Sequence, residues 1–285
     1  MPASETLIRV HTATLQGSGA TNQDAVVVTD RAVAVLDGST SWIPAEPGRD
    51  GGWYSHELAL RLSEHLDDPH RSLIEVMAEA IREMHDSYGL TPGVSPESTV
   101  TIARWDAERL ELLLLCDSPA IVFLTSGDFV ELHDRRLEHV SAEARAHYHE
   151  LLATGAGYGS AVKATLAEIQ QDERRHRNRP GGYWIAEATP EAAAQAITRS
   201  FPLEEVAAVL LLTDGASAAV HDYTQPPTWP DALAAIERDG PDAFLATVHA
   251  LEKTDPDGQH WPRSKPHDDK TVALLQCRST HDNLA

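Results

Sequence analysis

The chain has 285 residues, 42% of them hydrophobic and 24% charged, long enough for one large domain or two small ones around a sizeable core. Asp and Glu number 44 against 23 Lys and Arg, a formal net charge of −21, and such a surface repels phosphate backbones and anionic lipid, which argues against nucleic acid and membrane as partners. The start MPASETLIRVHTATLQ lacks the basic-then-apolar pattern of a secretory signal, no run nears a membrane span, and Cys116 and Cys277 sit in or beside apolar runs like reduced thiols, so a cytoplasmic protein is expected.

Taken in chain order, LIRVHTATL, AVVVT and AVAVL read as strands, the last two joined by the polar turn DR as a hairpin. Two helical segments follow. SHELALRLSEHL has apolar residues near helical spacing, and the segment from Asp68 to Gly89 opens with Asp68-Pro69, which predicts the cap and first turn. Leu73, Ile74, Met77, Ala80, Ile81 and Met84 then share one face. TVTIARW, LELLLLC and AIVFLTSGDFVELH read as a strand meander with a Ser-Gly-Asp turn. From about residue 140 to 200 the chain turns polar and helical, with SAEARAHYHELLAT, SAVKATLAEIQQDERRHRNRP and TPEAAAQAITRS. The last third supplies the strand VAAVLLLT, helices from WPDALAAIERDG and PDAFLATVHALEK, Pro-punctuated loops, and a closing strand KTVALLQC. There is no internal repeat, and residues 1–285 read as a single mixed domain.

Four apolar runs end or begin at aspartate: AVAVLDG at Asp37, LELLLLCDS at Asp117, VAAVLLLTDG at Asp214 and HDDKTVALL at Asp268 and Asp269. Singly, Asp-Gly after a strand marks a tight turn. Neither Asp37-Gly38 nor Asp214-Gly215 is followed at once by the alternating partner strand that such a turn needs. Several carboxylates at strand ends on one rim would repel one another, and hard divalent cations relieve that repulsion. Oxygen-rich ligation favours Mg²⁺ or Mn²⁺ over zinc, and the chain's lack of a close-spaced Cys/His cluster argues against zinc. Such a centre can activate water for in-line attack on phosphorus.

The ordered stretches TNQDA (21–25), VLDG (35–38), GGWYS (51–55), STVTIA (98–103), CDS (116–118), LLTDGAS (211–217) and DDKTVALL (268–275) resemble the motifs of the metal-dependent protein phosphatases, the type 2C or PPM family, from about Thr14 to Cys277. The resemblance implies an α-β-β-α sandwich of two antiparallel sheets with helices outside and metals in a cleft at one end. It further implies that Asp37 bridges two Mn²⁺ or Mg²⁺ ions with help from the Gly38 carbonyl, and that Asp214 and Asp268 complete the first site. Asp117 would match the aspartate of a third, weaker site in bacterial relatives, and Asp24 the acidic residue that organises metal-bound water. A metal-activated water would then be the nucleophile on a phosphoprotein, at phosphoserine or phosphothreonine, or on a smaller phosphate monoester. Ser98 and Thr99 match a structural strand start.

Three positions depart from that pattern. Gln23 stands where Glu is usual, Gly19 where many members carry a phosphate-gripping arginine, and Ser39 where the proton donor is expected, with an inserted loop before Gly51-Gly52. Arg49 in that loop is a replacement phosphate ligand or a solvated charge beside Glu46 and Asp50. His56 is a proton donor or a half-buried helix residue, and His267 is the other histidine of interest, directly before Asp268. The basic island Arg174, Arg175, His176, Arg177 and Arg179 falls where the family carries a variable flap, and reads either as an anion-greeting surface or as a helix end before Pro180-Gly181-Gly182. The leading expectation is a metal-dependent phosphatase, and the alternative is a pseudophosphatase acting as a binding or regulatory protein. A haloacid-dehalogenase-type enzyme fits poorly, because Val35 stands where its Asp-x-Asp would need an aspartate.

Overall fold

The structure is a computed structural model and describes residues 6–42 and 48–279. Ten strands form two antiparallel sheets. One has the order β1 (Thr6–Leu15), β10 (Lys270–Ser279), β9 (Val206–Leu212), β6 (Ala120–Leu124), β7 (Phe129–Leu132). The other runs β2 (Asp24–Val28), β3 (Ala32–Gly38), β4 (Ser98–Trp105), β5 (Arg109–Leu115), β8 (Ile197–Pro202).

Side-chain alternation along these strands builds three apolar layers. Val33 and Val35 of β3, Leu110, Leu112 and Leu114 of β5, Val122 of β6, Val209 and Leu211 of β9 and Leu275 of β10 pack between the sheets. The intervening residues of β3, Ala32, Ala34 and Leu36, face outward against α1 (Gly51–His65) and α2 (Leu73–Tyr88), meeting Tyr54, Leu58, Met77 and Ile81. On the far side Leu210, Leu212 and Leu274 pack under α6 (Trp229–Asp239) and α7 (Pro241–Thr254). Each buried Leu or Val contributes about 1.5–3 kcal/mol. The layers are therefore helix, sheet, sheet, helix, as expected. A smaller cluster joins α3 (Ala142–Ala153) to α4 (Ser160–His176) through Tyr148, Leu152, Val162, Leu166 and Ile169, within the stretch expected to form a flap. No described helix is long and apolar enough to cross a membrane.

Two local expectations change. The second helix starts at Leu73, not at Asp68-Pro69, because Ser72 and Glu75 form a reciprocal cap: Ser72 Oγ accepts from the Glu75 amide at 3.2 Å and Glu75 Oε2 accepts from the Ser72 amide at 2.8 Å. Ser72→Ala is expected to lower stability by about 1 kcal/mol in urea unfolding without altering the site. The expected helix over 189–200 is a 3-10 turn (Pro190–Gln195) followed by β8, whose Ile197 to Pro202 pair with β5. Tertiary pairing overrides the alanine-rich helical pattern there. Both cysteines are free thiols, Cys116 buried and Cys277 half-buried.

Candidate metal centre

The alternation that fills the sandwich also makes the site. Asp37 continues the series Val33, Val35 and so faces the space between the sheets, where the apolar packing of β3 ends. Asp24 is its antiparallel partner across the β2–β3 pair. Thr213 follows Leu211 on the inward face beyond β9, and Thr271 precedes Ala273 on β10. Thr213 Oγ1 donates to Asp24 Oδ2 at 2.8 Å. The other oxygen, Asp24 Oδ1, is buried without a hydrogen-bond partner.

Asp214 opens α5 (Asp214–His221), and Asp268 lies just ahead of β10. The Asp37 and Asp214 carboxyls share a hydrogen bond, and the charges of Asp24, Asp37, Asp214 and Asp268 act on one another. Burial, and then its acidic neighbours, raise Asp37 well above the usual carboxylate range. Asp24 is likewise raised by burial, with its threonine hydrogen bonds opposing. Asp214 reaches water along the cleft, yet the protein around it and the charges of Asp268 and Asp117 push it up to about 7. Asp117 follows β5 through Cys116, whose φ of 74° turns the chain at the strand end. Its own carboxyl is raised by burial and lowered by His133 and Arg145.

Glycines let the backbone crowd around these acids. A Cβ at Gly38 would run into the Gly51 carbonyl, and one at Gly51 into the Ser39 backbone, so the chain leaves β3 and enters α1 through one tight contact. Asp269 clamps the approach from β1: its Oδ1 accepts from the Gly17 amide at 2.7 Å and its Oδ2 from the Gln23 amide at 3.1 Å.

Several candidates from the sequence thus meet in one place, namely Asp24, Asp37, Asp214 and Asp268. These four carboxyls, three of them (Asp24, Asp37 and Asp214) raised by burial and by neighbouring acidic charge, with a partnerless buried oxygen on Asp24, form an oxygen donor set suited to Mg²⁺ or Mn²⁺. Asp214 and Asp268, with Ser39, Arg145, Tyr148 and Gln170, line a cleft of about 360 Å³ beneath α3 and α4.

Other candidates lie apart. Arg49 lines a neighbouring cavity of about 240 Å³ that does not include Asp214 or Asp268. Its guanidinium donates to the Tyr88 carbonyl at 3.1 Å and sits 5.3 Å from the Trp53 ring and 5.5 Å from the Tyr88 ring. Glu46 falls outside the described residues. The Gln23 side chain accepts from Thr40 Oγ1 at 2.6 Å. His56 is exposed on α1, with Nδ1 2.7 Å from the Gly52 carbonyl. His267 Nδ1 pairs with Glu252 Oε2 at 2.8 Å, and the same carboxylate meets the buried Lys270 Nζ at 2.8 Å.

The basic island resolves toward a helix end. α4 stops at His176, Arg175 pairs with Asp172 at 2.9 Å, and Arg177 is buried between Glu97 and Glu187. An anion-greeting role is therefore not open to Arg177.

One cation at the site had no motif to announce it. Lys265 Nζ lies 2.6 Å from Asp268 Oδ1, and its pKa is raised by the charges of Asp268, Asp37 and Asp269 against the effect of burial. It arrives from a Pro-rich loop without periodicity, and only its place three residues ahead of Asp268 marks it in the sequence. An ammonium and a divalent ion compete for one oxygen, so Lys265→Met is expected to tighten Mn²⁺ binding about tenfold, about 1.4 kcal/mol, in isothermal titration. Unchanged or weaker binding would contradict this competition.

No family model and no curated protein matches the chain. Solved structures do match in shape. The catalytic domain of the serine/threonine protein phosphatase PstP in complex with two manganese ions aligns at TM-score 0.55 and 18% identity, over 95% of this chain and 99% of that one. PppA, described as a key regulatory component of T6SS in Pseudomonas aeruginosa, aligns at TM-score 0.58 and 14% identity over 96% and 100%. The PPM Ser-Thr phosphatase MsPP from Mycobacterium smegmatis in complex with cacodylate aligns at TM-score 0.55 and 19% identity over 96% and 99%. The two five-stranded antiparallel sheets with their outer helices are thus the fold of the PPM-type serine/threonine phosphatases.

Proposed function

We propose that this protein is a metal-dependent phosphatase acting on phosphoserine or phosphothreonine in proteins, or on a related phosphate monoester. The observation that carries the reading is the gathering of Asp24, Asp37, Asp214 and Asp268 from four separate chain segments at one end of the sandwich, where Asp214 and Asp268 line a cleft. Asp37, Asp214 and Asp268, with the Gly38 carbonyl, would hold two Mn²⁺ or Mg²⁺ ions, with Asp24 alongside and Asp117 near a further, weaker position. When bound, the ions supply an activated water and neutralise charge on the phosphoryl group. The chain's own part is positional. Thr213 fixes the Asp24 carboxyl, Asp269 pins the segment carrying Gln23, and α3 and α4 supply Arg145, Tyr148 and Gln170 to the wall of the cleft. The PstP structure with two manganese ions supports the choice of metal.

Arg49 gains no support as the phosphate ligand from its position, since its side chain rests on Trp53 and Tyr88. Lys265 pairs with Asp268, and Arg145 and Arg263 line the cleft. One observation favours the second reading, a binding protein without turnover: Lys265 already neutralises Asp268. Purified protein assayed on p-nitrophenyl phosphate and a phosphothreonine peptide, with Mn²⁺ and with chelator, separates the two. Metal-dependent hydrolysis absent from Asp37→Asn and Asp214→Asn supports the enzyme. Mn²⁺ binding with no hydrolysis of either substrate supports the binding protein.

A further inference from the structure

A second cluster of ligating side chains lies at the other end of α5, outside the acidic centre. Glu131 and His133 stand two residues apart on the edge strand β7 and just beyond it, and so share a face. Glu131 pairs in register with Ile121, whose side chain belongs to the layer beneath the outer helices, so that face looks toward α5 and α6. His221 ends α5 directly opposite. Its Nε2 lies 2.9 Å from Glu131 Oε1, and His133 Nδ1 lies 3.7 Å from the same oxygen. The two imidazoles are stacked, with centroids 5.1 Å apart and planes within 2° of parallel.

Three features separate this group from an ordinary surface ion pair. The three ligand atoms all lie within 4.8 Å of one another. His133 Nδ1 is shielded from solvent and has no hydrogen-bond partner, with Glu131 Oε1 3.7 Å away, and a modest turn of one stacked ring would bring both imidazole nitrogens onto one ion. Glu131 Oε2 accepts from Trp229 Nε1 at 3.1 Å, which orients the carboxylate and leaves Oε1 for the two histidines. A tetrahedral ion with bonds of about 2.0–2.1 Å needs ligand atoms about 3.3 Å apart, between the two observed separations. The indole is the outer hydrogen bond that commonly steers a ligating carboxylate. Arg135 Nη2, 3.7 Å from Oε1, belongs to a half-exposed side chain that also pairs with Glu138, so it can move aside.

We propose that Glu131, His133 and His221 form a second metal site, selective for a borderline transition ion such as Zn²⁺ and distinct from the all-oxygen centre. Two imidazoles and one carboxylate suit Zn²⁺, Co²⁺ or Ni²⁺ rather than Mg²⁺. Asp214 opens α5 and His221 closes it, seven residues on, or about 10 Å at 1.5 Å per residue. An ion there ties the C-terminal end of α5 to the edge strand and so holds the helix that presents Asp214. A cation at that end also complements the helix dipole.

Full-length protein, stripped with chelator and dialysed, is titrated with Co²⁺ in excess Mg²⁺, and the visible ligand-field absorption is followed. One equivalent with the intense band of a tetrahedral nitrogen–oxygen site is expected, displaced by Zn²⁺. His221→Ala and His133→Ala should each weaken Co²⁺ binding at least about 100-fold, while Asp37→Asn leaves it unchanged. Glu131→Gln, which keeps the shape and the Trp229 contact, guards against misfolding, with circular dichroism checked on every variant. A band that survives all three cluster variants, or that Asp37→Asn removes, overturns the proposal, as does the absence of any band at millimolar Co²⁺.

Discussion

Asp37→Asn is expected to abolish metal-dependent hydrolysis while making the metal-free protein more stable. In the folded chain Asp37 is surrounded by protein and by the charges of Asp214, Asp24 and Asp268, which together raise its pKa well above the usual range. Its ionisation is therefore unfavourable without a cation, and the neutral amide removes that penalty. With wild-type protein, Mn²⁺ at about 100 times its dissociation constant should add about 2.7 kcal/mol of stability. Spread over a chain of 285 residues, this corresponds to a rise in Tm of roughly 5 °C. In Asp37→Asn the metal-free Tm should be higher, the Mn²⁺-induced rise should vanish, and kcat/KM should fall at least about 10³-fold, about 4 kcal/mol. The opposing directions are the informative part. A variant that lost activity and also lost metal-free stability would mark Asp37 as a structural carboxylate, and the proposed centre would fail.

Arg177→Ala should be the most damaging single change away from the acidic centre. Arg177 is buried with Glu97 on one side and Glu187, at 3.0 Å, on the other, and Tyr54 Oη donates to the Glu187 carbonyl behind them. Removing one member of a buried ion group leaves uncompensated charge and costs about 3–5 kcal/mol. The loss has a pH signature. Burial, helped by Glu187 and opposed by Arg177, pushes Glu97 up from 4.5 to about 7. A carboxyl raised in the folded state contributes stability that is full below its unfolded pKa and disappears as pH rises through the folded value. Below about pH 5 Glu97 carries its proton and misses the guanidinium less. By pH 8 the wild-type carboxyl has given up its proton and pairs with the guanidinium, whereas without Arg177, which lowers its pKa, it must either hold the proton or stand as an uncompensated buried charge. Urea unfolding at the two pH values should therefore show a larger deficit for Arg177→Ala at pH 8. An equal deficit would mean that Glu97 does not titrate in this window. A triple change of Arg177→Met with Glu97→Gln and Glu187→Gln should recover much of the loss.

These outcomes indicate which parts of the molecule could be read from the chain alone. The inward placement of Asp37 follows from strict alternation through Val33 and Val35, and the same rule carries Thr213 and Thr271 to Asp24. Strand-end aspartates are legible because burial on both sides forces long apolar runs, whose ends stand out. The start of α2 was harder, since Asp68-Pro69 and Ser72-x-x-Glu75 are both helix openings and only the second closes a reciprocal pair. Residues 197–202 become strand because β5 offers an open edge, a cause far away in the sequence. Arg177 looks like its solvated neighbours until Glu97 and Glu187 come to it through tertiary contact. Glu131, His133 and His221 carry no ligand spacing, because two of the three come from the end of a strand and the third from a helix nearly ninety residues later.

The close approach of Gly38 and Gly51 has a further consequence for how this chain can vary. The polypeptide departs from the strand carrying Asp37 and rejoins the first helix at nearly the same point, so everything between is an excursion hung on a narrow neck. Closing such an excursion depends only weakly on its length, with each doubling adding about 0.6 kcal/mol. Segments of other sizes or compositions spliced in between Trp42 and Gly48, with the Thr40, Trp42 and Arg49 contacts kept, would leave the acidic centre in register. The neck itself admits no larger residue. Diversity at the rim and constancy beneath it are thus separated by two missing side chains.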